Sequence, residues 1–307
     1  MCGDVAEVLG PLVATARAEG RTHLLETEGF EVARHLGLGT PTWRFVEDAR
    51  AARALDLAPF PGERVVLKAV SPAIQHKSDV GAVRFLPKTR DAIAEAVDAM
   101  RQALDDDDLR GFTVQEFVPH DPSLGGQLLL GMRWTEEFGP VVTFGPGGVH
   151  AEFLARNLRP GRDSAILSPR LASDAQIEAA LEAAAITPAA TGRLRGQASR
   201  VSLADLRELM QRFLALADAS MPADLAELEV NPLVWTAEGP VALDALVRLA
   251  SPVAEPPPPR PLVRLERLLL PGSIGIVGVS RSLNPGRQIL KNILREGFPA
   301  EQVTVVK

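Results

Sequence analysis

Tyrosine is absent from the 307 residues, cysteine occurs once, and 11 Phe with 3 Trp bring the aromatic content to only 5%. A single cysteine, Cys2, excludes a disulfide framework and a cysteine-based zinc site, and it fits a reducing compartment. Scarce aromatics leave little with which to stack single-stranded bases. The charge points the same way. With 33 Lys plus Arg against 39 Asp plus Glu the net charge is −6, without the basic surplus that a phosphate backbone attracts, so no nucleic acid partner is expected. No apolar run reaches the roughly 18 residues of a bilayer span, and the starting MCGDVAEVLG has neither the basic start nor the apolar core of a signal peptide. The expectation is a cytoplasmic protein without membrane contact. What is present, 46% hydrophobic and 23% charged residues, is an ordinary globular composition, and at roughly 150 residues per domain it predicts about two domains.

The pattern along the chain is α/β. Residues 14–37 predict two helices, the second closed by Gly37 and Gly39, with TWRFV as a strand beyond Pro41. DARAARALDLA reads as helical, and RVVLKAV, after the turn at Pro61 and Gly62, reads as a buried strand. A polar turn and a further strand follow in SPAIQHKSDVGAVRFL, then a helix over 91–104 capped by Asp91 and an acidic surface loop at 105–108. FTVQEFV, GQLLLGMRW and VVTFGPGGV predict three strands, and residues 155–200 helical stretches. LADLRELMQRFLALAD has helical apolar spacing, and LAELEVNPLVW and VALDALVR predict two strands joined at Glu238 and Gly239. Six prolines in residues 251–263 can form neither helix nor central strand and mark a linker. Beyond it, SIGIVGVS, NPGRQILKNILREGF and QVTVVK spell one βαβ unit, too small to bury both faces of a parallel sheet, so a longer protein is expected. The division is 1–250, a linker at 251–263, and 264–307.

Several residues call for chemistry. A lysine inside a buried strand, Lys68, must find a partner, because an unpaired buried charge costs several kcal/mol. His76 sits in a polar Gly-containing loop, and FGPGG places Gly145, Gly147 and Gly148 in a second turn. Strand alternation puts Glu229 and Asn231 on one face, with Asp244 on the paired strand beside them, an oxygen set that suits magnesium. Each has a plainer reading: an ion pair, a surface histidine, a tight turn. Together they describe a nucleotide phosphate site.

RVVLKAVSPAIQHKSDVGAV, VQEFV, FGPVVTFGPGGVHAEFL and LAELEVNPLVW resemble, in order and spacing, the ATP-grasp subunit of ADP-forming (NDP-forming) acyl-CoA synthetases, or acetate-CoA ligases, relatives of the succinyl-CoA synthetase β subunit. The resemblance covers roughly 15–250, and SIGIVGVSRSLNPGRQILKNILREGF is similar to the start of the family's CoA-binding Rossmann domain. It implies an ATP-grasp fold of two α+β subdomains followed by a truncated Rossmann-like unit. It also implies ATP or ADP, Mg2+ and coenzyme A as ligands. Lys68 would contact the nucleotide phosphates, Gln115, Glu116 and Val118 would border the adenine, and Gly145, Gly147, Gly148 and Glu152 would lie near the transferred phosphate. His76 would relay the phosphoryl group, Glu229, Asn231 and Asp244 would hold the metal, and Gly278, Ser280, Asn284 and Gly286 would meet the CoA diphosphate at a helix N-terminus. His23, His35, His120 and His150 sit outside the His76 loop motif and are expected to be bland. Ala82, Gln127 and Arg156 depart from the family pattern. The implied reaction interconverts acyl-CoA, ADP and phosphate with carboxylate, CoA and ATP. The implied partners are the remaining synthetase domains, with a homo-oligomer as one expected form. The rival expectation is a non-catalytic nucleotide- and CoA-sensing region fused to a protein lysine acetyltransferase.

Overall fold

The computed structural model describes residues 2–74, 80–104, 108–148, 151–159, 161–251 and 262–306. Contacts divide the chain into Met1–Val253 and Ala254–Lys307. The first unit begins α1 (Cys2–Ala18), α2 (Glu26–His35), β1 (Trp43–Val46), α3 (Ala49–Arg53), β2 (Arg64–Val70), β3 (Val83–Pro87), α4 (Arg90–Leu104) and β4 (Gly111–Glu116). It continues with β5 (Leu128–Thr135), β6 (Gly139–Pro146), α5 (Ala151–Asn157), β7 (Ala165–Leu167), α6 (Asp174–Ala183) and α7 (Thr187–Ala190). α8 (Leu203–Ser220), β8 (Leu225–Thr236), β9 (Gly239–Ala242) and β10 (Ala245–Leu249) complete it. No helix among the described residues is long and apolar enough to cross a membrane.

Two antiparallel sheets organise this unit. The smaller has the order β1-β4-β2-β3. Its buried face is built from alternate strand residues, Val65, Leu67 and Ala69 on β2 with Phe112 and Val114 on β4, and α4 covers it with Ile93, Ala94, Val97 and Met100. That spacing of i, i+1, i+4 and i+7 is one helical face. α4 is capped by Thr89, whose Oγ1 accepts from the Ala92 N–H at 3.3 Å. Asp91, expected as the cap, instead lies within the first turn, where a carboxylate still suits the helix dipole.

The larger sheet runs β10-β8-β5-β6-β7, with β9 also on β8. α8 lies against β5 and β6 and buries Leu206, Leu209, Met210, Phe213 and Leu214. VALDALVR, read as one strand, is two: β9 and β10 are interrupted at Leu243 and Asp244, which lie opposite Asn231 and Pro232 of β8. The physical reason is Pro232, which has no N–H to donate to the ladder. Only Leu243 N to Pro232 O at 3.0 Å and a long Asn231 N to Asp244 O contact at 3.4 Å remain there.

α2 closes as its sequence predicts. Leu38 N donates to Ala33 O at 3.0 Å across Gly37, whose φ of +81° is the left-handed closure that glycine adopts without steric cost. The second unit contains α9 (Leu262–Leu269), β11 (Ile274–Val277), α10 (Pro285–Arg295) and β12 (Val303–Val306). β11 and β12 pair in parallel, the expected βαβ arrangement. Asn284 caps α10, its side chain accepting from Arg287 N at 2.9 Å and donating to Gly278 O at 2.8 Å. A Cβ on Gly286 would sit 2.8 Å from that same carbonyl, so the helix reaches this close only with glycine there. Residues 105–107 of the acidic run and 252–261 of the proline-rich segment lie outside the described residues.

Candidate active site

A cavity of about 650 Å³ lies between the two sheets of the first unit, within the usual size range of small-molecule sites. β2 and β4 supply one wall with Val66, Lys68 and Gln115, while Glu229, Asn231 and Asp244 face it from the larger sheet. Alternation along β2 is the cause: Leu67 and Ala69 fill the core, so Lys68 must face the other way. Lys68 is only 6% exposed. Its Nζ donates to Glu26 Oε1, a contact between residues 42 apart in sequence, and to Leu243 O at 2.7 Å. The Phe30 ring centroid lies 5.9 Å away. Burial pushes the Lys68 pKa down, but the negative charges of Asp244 and Glu26 outweigh it and hold the ammonium above the usual lysine value. Lys68 therefore stays charged in the cavity wall. The partner that its burial demands is Glu26, at the first position of α2, which sequence spacing does not connect to β2.

Gln115 lies in the same polar row. It faces the cavity beside Lys68, and its Nε2 donates to Glu26 Oε2 at 3.2 Å and to Thr113 Oγ1 at 3.0 Å. Glu116 Oε2 accepts from Thr42 N at 2.9 Å. The Val118 carbonyl accepts from His120 Nδ1 at 2.9 Å, and the Gln127 amide donates to His120 Nε2 at 2.9 Å. That pairing requires the Nδ1–H tautomer. The Gln127 Oε1 is buried with no hydrogen-bond partner among the described residues. His23 and His120, which the motifs leave out, both border the cavity, as do Phe85 and Phe117, whose rings meet edge to face at 6.1 Å. Only Phe117 had a signal in the sequence, its place inside VQEFV.

On the opposite wall, Asn231 ties the Gly turn to a carboxylate. Its Oδ1 accepts from Gly148 N at 2.9 Å and its Nδ2 donates to Glu229 Oε1 at 3.2 Å. Asp244 Oδ1 accepts from the next backbone N–H, that of Ala245, at 2.9 Å. Among the described residues no group of three or more His, Cys, Asp or Glu side chains could hold a metal ion unaided. Two carboxylates and an amide, all hard oxygen donors, nevertheless fit magnesium, which takes few protein oxygens and completes its shell with water and phosphate.

The Gly turn differs from expectation in one respect. Of its three glycines only Gly148 borders the cavity, and the Gly147 and Gly148 N–H groups already donate to Gln127 O, at 3.0 Å, and to Asn231. The glycines are needed for close approach instead: a Cβ on Gly147 would lie 2.2 Å from Leu128 O, and one on Gly148, at φ +58°, would lie 1.8 Å from Gln127 Oε1. Backbone cannot yield as a side chain can. Gly147→Ala is therefore expected to cost about 2–3 kcal/mol, or roughly 5–10 °C in Tm, read by thermal unfolding. A variant melting with the wild type would show that this strand end is free to shift.

The remaining assignments are placed as follows. Glu152 is exposed on α5 and pairs with Arg156 at 3.1 Å, away from the cavity lining, which is the plain surface-carboxylate arrangement. Gly145 packs against Ser164 outside the cavity. Ala82 is buried in the core of the small sheet, its carbonyl accepting from Ala69 N at 3.0 Å. Gly278, Ser280, Asn284 and Gly286 gather at the start of α10 in the second unit. His76 lies outside the described residues, as does His150.

Residues 15–249 match the sequence model of the ATP-grasp domain. The chain belongs to the ATP-grasp family. This ATP-grasp chain is 29% identical over 241 residues to the β subunit of acetate-CoA ligase [ADP-forming] I from Pyrococcus furiosus, an alignment covering 76% of the chain and 94% of that subunit. It is 26% identical over 280 residues to acetate-CoA ligase [ADP-forming] II from Archaeoglobus fulgidus, covering 90% of the chain but only 37% of that enzyme. Among solved structures, the dinucleotide forming acetyl-coenzyme A synthetase 1 of Ca. Korarchaeum cryptofilum superimposes with a TM-score of 0.58 at 28% identity, over 78% of this chain and 99% of that one. That structure contains coenzyme A and Mg-AMPPCP, with its phosphohistidine segment pointing towards the nucleotide binding site. These relatives are ligases, and they lend the acetyltransferase-linked sensor reading no support.

Proposed function

We propose that this chain is the nucleotide-handling part of an ADP-forming acyl-CoA synthetase that interconverts acyl-CoA, ADP and phosphate with carboxylate, CoA and ATP through a phosphohistidine. The observation that carries the reading is convergence: Lys68, the 116–118 segment, Gly148, Glu229, Asn231 and Asp244 come from distant parts of the sequence to one cavity. In this reading the backbone of 116–118 meets the base edge, and charged Lys68 donates to phosphate oxygens. Glu229, Asp244 and Asn231 would hold magnesium, which when bound neutralises charge on the transferred phosphoryl group. His76 takes the phosphoryl group on a ring nitrogen from the phosphohistidine of a partner domain, freeing that imidazole, and then gives it to ADP, so that one difficult transfer becomes two easier ones. Residues 264–307 begin a CoA-binding Rossmann-like domain after the 251–263 linker, with Gly278, Ser280, Asn284 and Gly286 at the diphosphate. Its partners are the remaining synthetase domains, and its setting is the cytoplasm.

The charge of the cavity sets the test. Among the described lining residues one lysine faces four carboxylates, Glu26, Glu116, Glu229 and Asp244. Among these residues carboxylates outnumber cations, so a polyanionic nucleotide is expected to bind there together with divalent cations. Calorimetry is expected to show ADP binding in the presence of magnesium and an affinity about 100-fold lower, ~2.7 kcal/mol, once the metal is chelated. Equal affinity with and without the metal would remove the phosphate end of the site from this cavity.

A further inference from the structure

Glu26 is the buried carboxylate that no motif led to, and its surroundings make it more than a counter-ion. It opens α2, and the start of that helix is held firmly. Leu25 N donates to Glu28 Oε2 at 2.7 Å, and the Arg21 guanidinium grips both Glu28 oxygens at 2.7 and 2.9 Å. Both Glu26 oxygens in turn receive N–H groups from the facing sheet, Oε1 from Lys68 and Oε2 from Gln115 at 3.2 Å. Glu26 thus joins α2 to two neighbouring strands of the small sheet. An ammonium has three donors. Glu26 takes one and Leu243 O takes another. With two directions set by acceptors on separate elements, the third has little freedom in where it points.

We propose that Glu26 is a positioning residue for nucleotide binding: it holds the Lys68 ammonium where the nucleotide phosphates are bound. The proposal rests on the reading of Lys68 as the phosphate contact. Glu26→Gln is the informative change, because glutamine keeps the shape but has only one acceptor oxygen. Its amide nitrogen must face either Lys68 or Gln115, donor against donor, so one of the two contacts is lost.

The test is a double-mutant cycle in the full chain, with Glu26→Gln, Lys68→Met and the pair, using MgADP and the phosphate-free probe adenosine in calorimetry. Glu26→Gln is expected to weaken MgADP about tenfold, the scale of one hydrogen bond to a charged group. Adenosine affinity should not change. In the Lys68→Met background the same substitution should cost less than about twofold, because the residue through which it acts is gone. Unchanged or tighter MgADP binding in Glu26→Gln overturns the positioning role, as does an equal loss in both backgrounds. Should Glu26→Gln fail to fold, Glu26→Asp takes its place, keeping the charge but drawing the oxygens back by one methylene, and unchanged MgADP affinity there overturns the positioning role. Wild-type affinity in Lys68→Met alone would sink the nucleotide-site reading and this inference with it. A Lys68→Met loss beside a silent Glu26→Gln sinks the inference only.

Discussion

Lys68→Met is expected to weaken MgADP binding by about 10- to 100-fold, the loss of a charge-assisted contact of ~1.5–3 kcal/mol made by a buried ammonium. It should also lower stability, by about 3–5 kcal/mol, because removing one member of a buried ion pair takes the nearest counter-charge from the other. The Glu26 side chain is 2% exposed and Asp244 acts on the same ammonium, so neither water nor salt can replace the lost charge readily. The two effects separate on a second substitution. Lys68→Met combined with Glu26→Gln should recover much of the stability, since the most deeply buried carboxylate beside the lysine is neutralised with it, yet recover none of the affinity. Chemical denaturation reads the first and calorimetry the second. Full MgADP affinity in Lys68→Met would mean that the lysine is a structural ion pair and nothing more.

The second large effect concerns His76. Assayed together with the remaining synthetase domains, His76→Asn is expected to abolish ATP formation from acyl-CoA, ADP and phosphate. MgADP binding should stay within about twofold of wild type, because asparagine keeps approximate size and hydrogen bonding while removing the nucleophilic ring nitrogen. Loss of turnover with intact binding is the mark of a residue that acts in the chemical step. Wild-type turnover in this variant would make His76 an ordinary loop residue and end the relay reading, even with the nucleotide site confirmed.

Much of the architecture was legible because it depends on local periodicity. RVVLKAV could only be a buried strand, residues 203–218 could only be an amphipathic helix, and the parallel βαβ unit showed in the spacing of its apolar runs. Two side of one strand are equally local, and Glu229 and Asn231 do share a face. The interruption at Leu243 and Asp244 was in principle visible as well, through Pro232, but it took the paired strand to show where the missing donor falls.

By itself, then, the sequence determined the strands, helices and family of this chain, along with the lysine and the oxygen donors of its cavity, since these follow from residue type and short-range spacing. Tertiary structure alone decided the partners. Nothing in sequence links Glu26 to Lys68 across 42 residues, or Asn231 to Gly148 across 83. Only packing placed Gln115 against Glu26 across 89 residues, and only packing brought His23 and His120 to one cavity. The reason is physical: a backbone pattern says which face a side chain is on, but a buried charge or amide is satisfied by whatever the fold brings within about 3 Å, and that is a property of how the layers meet.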